Sequence, residues 1–280
     1  MTTLQRIVKY CAVAFALFLI VSIIGGSVQA IASVSRIFDH DDVVGKAENY
    51  AVDGEIENMD IEISGAELEI RTGSDFSVQS NHKYLETENK NGVFCVKERR
   101  SSLNFGTNDV RVIITVPDDV VFDKISVSTG AGVVKIDSLI AEDLSLELGV
   151  GEVRIDEIIV DGKAKIHCGA GELTVDGGRM KDLDMELGIG EVTLKNRLTG
   201  DCRIDCGAGE LDLTLFGAAE DYRITLDKGV GDATLEGKKM IDGETYGSGD
   251  ASIKLNGGVG SILVDFDEWK TDDAEKKEKI

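Results

Sequence analysis

One position recurs along this chain with a carboxylate: Glu152, Glu172, Glu191, Glu210, Asp232 and Asp250 each directly follow a Gly-x-Gly triplet. If these residues stack about 5 Å apart, neighbouring charges repel by about 0.8 kcal/mol in water, and a hard cation such as Ca²⁺ would relieve the repulsion. Calcium-binding solenoids, however, use a shorter period with Asp inside the glycine turn. The expectation is therefore a solvated edge on which long Glu side chains splay apart, with Ca²⁺ binding as the alternative. The triplets themselves do not hold phosphate. None continues into Gly-x-x-Gly or Gly-Lys-Ser/Thr, and a strand pattern rather than a helix pattern follows each.

The five cysteines are Cys11, Cys95, Cys168, Cys202 and Cys206. Cys168 and Cys206 fall at one repeat position two repeats apart, about 9.6 Å if repeats stack as strands, and Cys202 and Cys206 lie about 13 Å apart along one strand. A disulfide needs Cα atoms within about 7 Å, so free thiols used as small core residues are expected. The histidines are His40, His82 and His167. His167 precedes an inward position and should face solvent, and none has a partner at zinc-ligand spacing. No Gly-x-Ser-x-Gly or other nucleophile–base set is present. A carbohydrate-active solenoid would offer aromatic platforms, and aromatics are only 5% of this chain. No catalytic, cofactor-binding or metal-binding residue is expected, and the protein is read as a non-enzyme.

These residues are positioned by a repeat. Gly-x-Gly triplets begin at 130, 149, 169, 188, 207, 229, 247 and 258, and the first four intervals are 19, 20, 19 and 19 residues. A period near 20 marks a solenoid, in which each repeat buries its apolar face only by stacking on its neighbours. Within each repeat, apolar residues alternate before the glycines, as in Leu144/Leu146/Leu148 and Leu183/Met185/Leu187. They alternate again after them, as in Val153/Ile155 and Val192/Leu194. Alternation means strands with one buried face. Each repeat is expected to run strand, glycine corner, strand, then a polar turn with apolar residues tucked in (Leu139, Ile158, Met180, Leu198). Glycine suits the corner because it allows positive φ and close backbone approach.

The first rung is Met59/Ile61/Ile63, then Ser64-Gly65-Ala66-Glu67, then Leu68/Ile70. Residues 71–117, ending in the single proline Pro117, interrupt the repeat and are expected to cap the open sheet edge. The predicted fold is all-β: a single-domain β-solenoid of stacked strands, about 20 residues per rung, over residues 50–266. The 32 glycines and lone proline exclude a Pro-rich linker protein, and 42% hydrophobic residues exclude global disorder.

The N-terminus reads as an anchor. Residues 1–9 carry Arg6 and Lys9, and residues 10–32 hold no charge. As a helix that run spans about 34 Å, enough for a hydrocarbon core of about 30 Å. The positive-inside rule puts residues 1–9 in the cytoplasm and the rest outside. A cleaved signal peptide is the alternative, with Val28-Gln29-Ala30 as its cleavage site; an uncleaved transmembrane signal-anchor is favoured because the run is long. Residues 33–49 form an acidic tether that extends at most about 56 Å, and residues 267–280 a charged tail, with Trp269 stapling the end of the last strand. The chain carries −22, and since residues 1–35 contain only Arg6 and Lys9, the remainder carries −24. That charge excludes nucleic-acid coating and disfavours anionic lipid surfaces.

The stretch Asp109-Val110-Arg111-Val112-Ile113-Ile114-Thr115-Val116-Pro117, then Ile125-Ser126-Val127-Ser128-Thr129-Gly130-Ala131-Gly132, and the rungs up to Gly258–Phe266 resemble a known family. It is the bacterial β-strand-repeat family called "putative adhesins", a domain of unknown function related to the toast-rack domains of envelope-stress proteins. The resemblance implies the fold and an exported domain behind an N-terminal anchor. It brings no catalytic residue. The resulting expectation is a non-enzymatic interaction or scaffold module on the outer side of a bacterial cell membrane. Its partner would be an envelope or membrane protein, in envelope-stress sensing or regulation. The alternatives are a surface adhesin and a Ca²⁺- or carbohydrate-binding solenoid.

Overall fold

The computed structural model describes residues 44–99, 110–118 and 120–268. The expected anchor at 10–32, His40, Cys11 and Trp269 lie outside the described residues. Among the described residues no helix is long and apolar enough to cross a membrane.

The chain is all-β. In order come β1 (Val44–Tyr50), β2 (Asn58–Gly73), β3 (Ser77–His82), β4 (Leu85–Lys90), β5 (Val93–Glu98) and β6 (Arg111–Pro117). Then follow β7 (Phe122–Val160), β8 (Ala164–Val175), β9 (Gly178–Lys181), β10 (Asp184–Thr199) and β11 (Asp201–Phe216). The last are β12 (Tyr222–Asp227), β13 (Val230–Leu235), β14 (Lys238–Lys239), β15 (Thr245–Gly247) and β16 (Ala251–Asp267). The long strands β2, β8, β10, β11 and β16 each bend once at a corner, and β7 bends at two corners and so supplies two rungs.

Rungs stack in parallel and in register. Met185 sits between Ile166 and Ile204, and Val192 between Leu173 and Leu211. Alternation buries one column of side chains on each side of the corner. Ile61, Val127, Leu146, Ile166, Met185, Ile204, Leu255 and Leu226 are all at most 1% exposed. Each such side chain contributes about 1.5–3 kcal/mol by leaving water, and only the stack provides that burial. The turns after the second strand form a third, narrower ladder. Ile158 of β7 pairs with Gly178 of β9, and Leu198 of β10 with Met180. Ile158, Met180 and Leu198 are buried as expected, but on a third strand face rather than in a turn.

Residues 71–117 close the N-terminal end in two flaps. The first half of β2 pairs with β5, which pairs with β4, and the second half pairs with β6, which pairs with β3. Residues 44–49, assigned above to the tether, instead belong to strand β1, which extends the second flap by pairing with β3. At the other end the chain runs from β11 to β12 and β13, then returns so that β16 lies between them: β11 pairs with β16, and β16 with β12 and β13. This insertion corrects two expectations. Gly247 ends β15 and Ser248-Gly249 lead into β16, so this triplet is not a corner, and Asp250 joins no carboxylate column. Asp267, assigned to the tail, ends β16.

Candidate functional site

The corners are the one feature that every rung repeats on the surface. The second glycine of each corner triplet has a positive φ, from +133° at Gly171 to +149° at Gly260. A Cβ on Gly209 would fall on the carbonyl oxygen of Gly190, in the rung before it, far inside van der Waals contact. Close stacking of bent backbone therefore requires glycine at both places, whatever the function.

Four columns run along the corners. The register aligns Glu152, Glu172, Glu191 and Glu210 on consecutive rungs, about 4.8 Å apart. The next rung contributes Ser261, and only then Asp232, so the expected run of five acids is a block of four. The ends of this column are neutralised. Glu67 accepts hydrogen bonds from Lys135 Nζ (3.0 Å) and Arg111 Nε (2.8 Å), and Lys239 lies 3.6 Å from Asp232. The bond from Lys135 is the main cause that holds the Glu67 carboxyl below its ordinary range. No ion pair reaches Glu152, Glu172, Glu191 or Glu210 among the described residues, and Arg154 beside them is committed to Asp156 and Asp176.

The middle residue of each triplet forms the second column: Val150, Ala170, Ile189 and Ala208, continued by Val259 and Val230. Val150 is 58% exposed. On the other side of the first glycines lies an open groove of about 760 Å³. Leu148, Cys168, Leu187 and Cys206 line it, and so do Glu147, His167, Glu186 and Asp205. The surface thus alternates acidic rail, apolar groove, apolar ridge, acidic rail.

The sequence profile of the family Toastrack DUF4097 matches residues 54–271. The chain belongs to the toast-rack family. Its fold is similar to that of a "putative cell adhesion protein" from Clostridium sporogenes, at 15% identity over 79% of this chain and 99% of the other, with a TM-score of 0.33. A "putative adhesin" from Parabacteroides distasonis matches at 12% identity over 78% and 97%, with a TM-score of 0.42. A "putative lipid binding protein" from the same organism matches at 13% over 78% and 96%, with a TM-score of 0.33. Likenesses of this size fix neither a ligand nor an activity. A comparison with curated proteins gives no match.

Within the toast-rack domain the thiols stand as expected in register, with Leu187 between Cys168 and Cys206, and Cys95, Cys168, Cys202 and Cys206 are free. Burial pushes the thiols of Cys168, Cys202 and Cys206 up to about 11. His167 is half-buried on the solvent side, 3.7 Å from Glu186. His82 is buried in the cap, where its Nδ1 accepts the Tyr84 N–H at 3.1 Å and its Nε2 lies 3.7 Å from Glu98. Burial lowers its pKa, with Glu98 opposing. No group of three metal-ligating side chains comes together among the described residues, so the carboxylate column offers rows, not cages.

The apolar ridge is the feature that sequence reasoning missed. Leu146 and Leu148 are inward, and so are Val153 and Ile155, so the parity of the alternation changes across the corner. Counted from upstream, Val150 is inward; counted from downstream, it is outward, and the structure follows the downstream count. The signal was present: the triplet's middle residue is apolar at 131, 150, 170, 189, 208, 230 and 259.

Proposed function

We propose that this toast-rack domain is a binding module that presents its glycine corners to a partner, rather than a catalyst. The observation that carries the proposal is the juxtaposition of an apolar ridge, exposed at Val150 and half-buried at Ala170, Ile189 and Ala208, with four carboxylates that have no ion pair among the described residues. Unpaired like charges beside exposed apolar side chains cost stability, and a partner relieves both. The proposal extends to place: residues 10–32 would hold the domain at the outer side of a bacterial membrane, which favours a partner in the same envelope over one on another cell.

The test is crosslinking in cells. A photo-reactive amino acid replaces Val150 in the full-length protein, and adducts are identified by mass spectrometry, with the same probe at the exposed Asp123, at the start of β7, as control. A membrane or envelope protein recovered from position 150 alone supports the module. Equal recovery from both positions, or none, overturns the corner as its working surface. Adducts with glycan or with host material would point to the adhesin alternative.

A further inference from the structure

We infer that the partner surface is a cationic amphipathic helix, laid along the stack so that its apolar face covers the ridge and its bases meet the row of Glu152, Glu172, Glu191 and Glu210. The inference rests on the binding-module proposal and names the partner's chemistry. Three features argue for it.

The first is charge. The ridge formed by Val150, Ala170, Ile189 and Ala208 has four unpaired glutamates on one side, and the groove beyond it is bounded by Glu147, Glu186 and Asp205 on the other. The second row is not purely acidic: His167 stands between Glu147 and Glu186, 3.7 Å from Glu186, and Arg203 is bonded to Asp205 at 2.7 Å, so the unpaired charge is carried by the four glutamates. The site therefore selects a ligand with cations along one flank of an apolar stripe. An anionic lipid surface meets the wrong sign.

The second is the floor. Leu148 and Leu187 are buried beneath the groove, and the half-buried Cys168 and Cys206 with the first glycines form the floor that a ligand can touch. Small ridge residues at Ala170 and Ala208 alternate with larger ones at Val150 and Ile189, which gives side chains from an opposing element places to seat.

The third is spacing. Rungs repeat about every 4.8 Å, and a helix returns to the same face about every 5.4 Å. Over the three steps from Val150 to Ala208 the mismatch is about 2 Å. An extended peptide laid in the same direction presents same-face side chains about 6.7 Å apart and is out of step by about 6 Å. The corner thus favours a helix as i, i+3, i+4 anchors in a groove, with flanking charges setting its orientation.

The experiment uses the full chain in neutral phosphatidylcholine nanodiscs and three 18-residue probes. One is a Leu/Lys peptide with a helical apolar stripe, the second has the same composition with strict alternation, and the third is the helical Leu/Glu counterpart. Binding is measured to wild type and to the fourfold variant Glu152→Gln, Glu172→Gln, Glu191→Gln, Glu210→Gln, whose fold is checked by circular dichroism. Binding of the helical Leu/Lys probe at least tenfold tighter to wild type than to the variant, weakening as salt rises, supports the inference. Equal affinity for both proteins, or equal or better binding of the alternating or Leu/Glu probe, overturns it. Recruitment of anionic vesicles by wild type would overturn it in favour of lipid. An in-cell adduct at position 150 without helical-probe binding leaves the binding module standing and removes the helix. Absence of both removes both.

Discussion

The first corner and the corners behind it are built differently. Inner corners carry Gly-x-Gly, whereas the first rung has Ser64-Gly65-Ala66 at the same place, with Ser64 and Ala66 stacked against Gly130 and Gly132. The difference follows from direction. At each inner corner, an added Cβ points at the carbonyl of the rung on the N-terminal side: Gly151 at Gly132, Gly190 at Gly171, Gly209 at Gly190. Among the described residues nothing stacks before the first corner, and its residues keep their side chains. The last corner, Gly229-Val230-Gly231, still needs glycine because Gly258 and Gly260 lie in front of it. The lesson is that glycine here answers to a neighbour's backbone, not to the bend alone.

Breaking an inner corner should have the largest effect. Gly209→Ala puts a methyl on the Gly190 carbonyl and an L-residue at φ +143°, so the variant is expected to lose about 4 kcal/mol or more in urea unfolding. A loss under about 1 kcal/mol would refute the directional account. Truncating the core beside that corner comes next. Met185→Ala removes a fully buried side chain between Ile166 and Ile204, and a loss of about 2–5 kcal/mol is expected. The first corner sets the opposite limit: Ala66→Gly should cost only about 1 kcal/mol, from backbone entropy and one small methyl.

Charge sharpens the same contrast between end and middle. Glu67 has its carboxyl lowered by Lys135 and Arg111, so its stabilising effect is full above its ordinary value of 4.5 and is lost as pH falls toward the folded value. Glu67→Gln should flatten that acid limb and lower the melting temperature at pH 7. Glu191→Gln should do the reverse at low salt, raising the melting temperature slightly by removing repulsion from Glu172 and Glu210, with the gain vanishing at high salt. The thiols give a kinetic counterpart. With Cys168, Cys202 and Cys206 near 11, about one thiol in a thousand is ionised at pH 8, and alkylation should wait for unfolding.

Much of this architecture is written locally. The interval between triplets, the alternation on either side and the interruption at 71–117 lead directly to stacked rungs with a cap, because one-dimensional stacking turns sequence period into spatial register. What escaped has physical reasons. The place of β16 depends on a return across β12 and β13 that no local pattern encodes, and so the 247 triplet looked like one more corner. The strand at Val44–Tyr50 is half-exposed and mixed in character, because it is an edge strand with little to bury. At the site, the acid column was legible as a repeat position, but its interruption by Ser261 needed strand order, and the ridge needed the corner's change of parity.

The interleaving of β16 also bears on how the protein is made. Every earlier rung has its N-terminal neighbour in place as it leaves the ribosome, so assembly can follow synthesis. The rung of β12 and β13 cannot: the strand it rests on arrives some thirty residues later, and until then Tyr222, Ile224 and Leu226 have no parallel partner. A chain cut short before Ala251 would hold nearly all of the stack yet leave this last rung unseated. Arrival of β16 is thereby registered in the fold, and a copy cut short before it leaves β12 a bare strand.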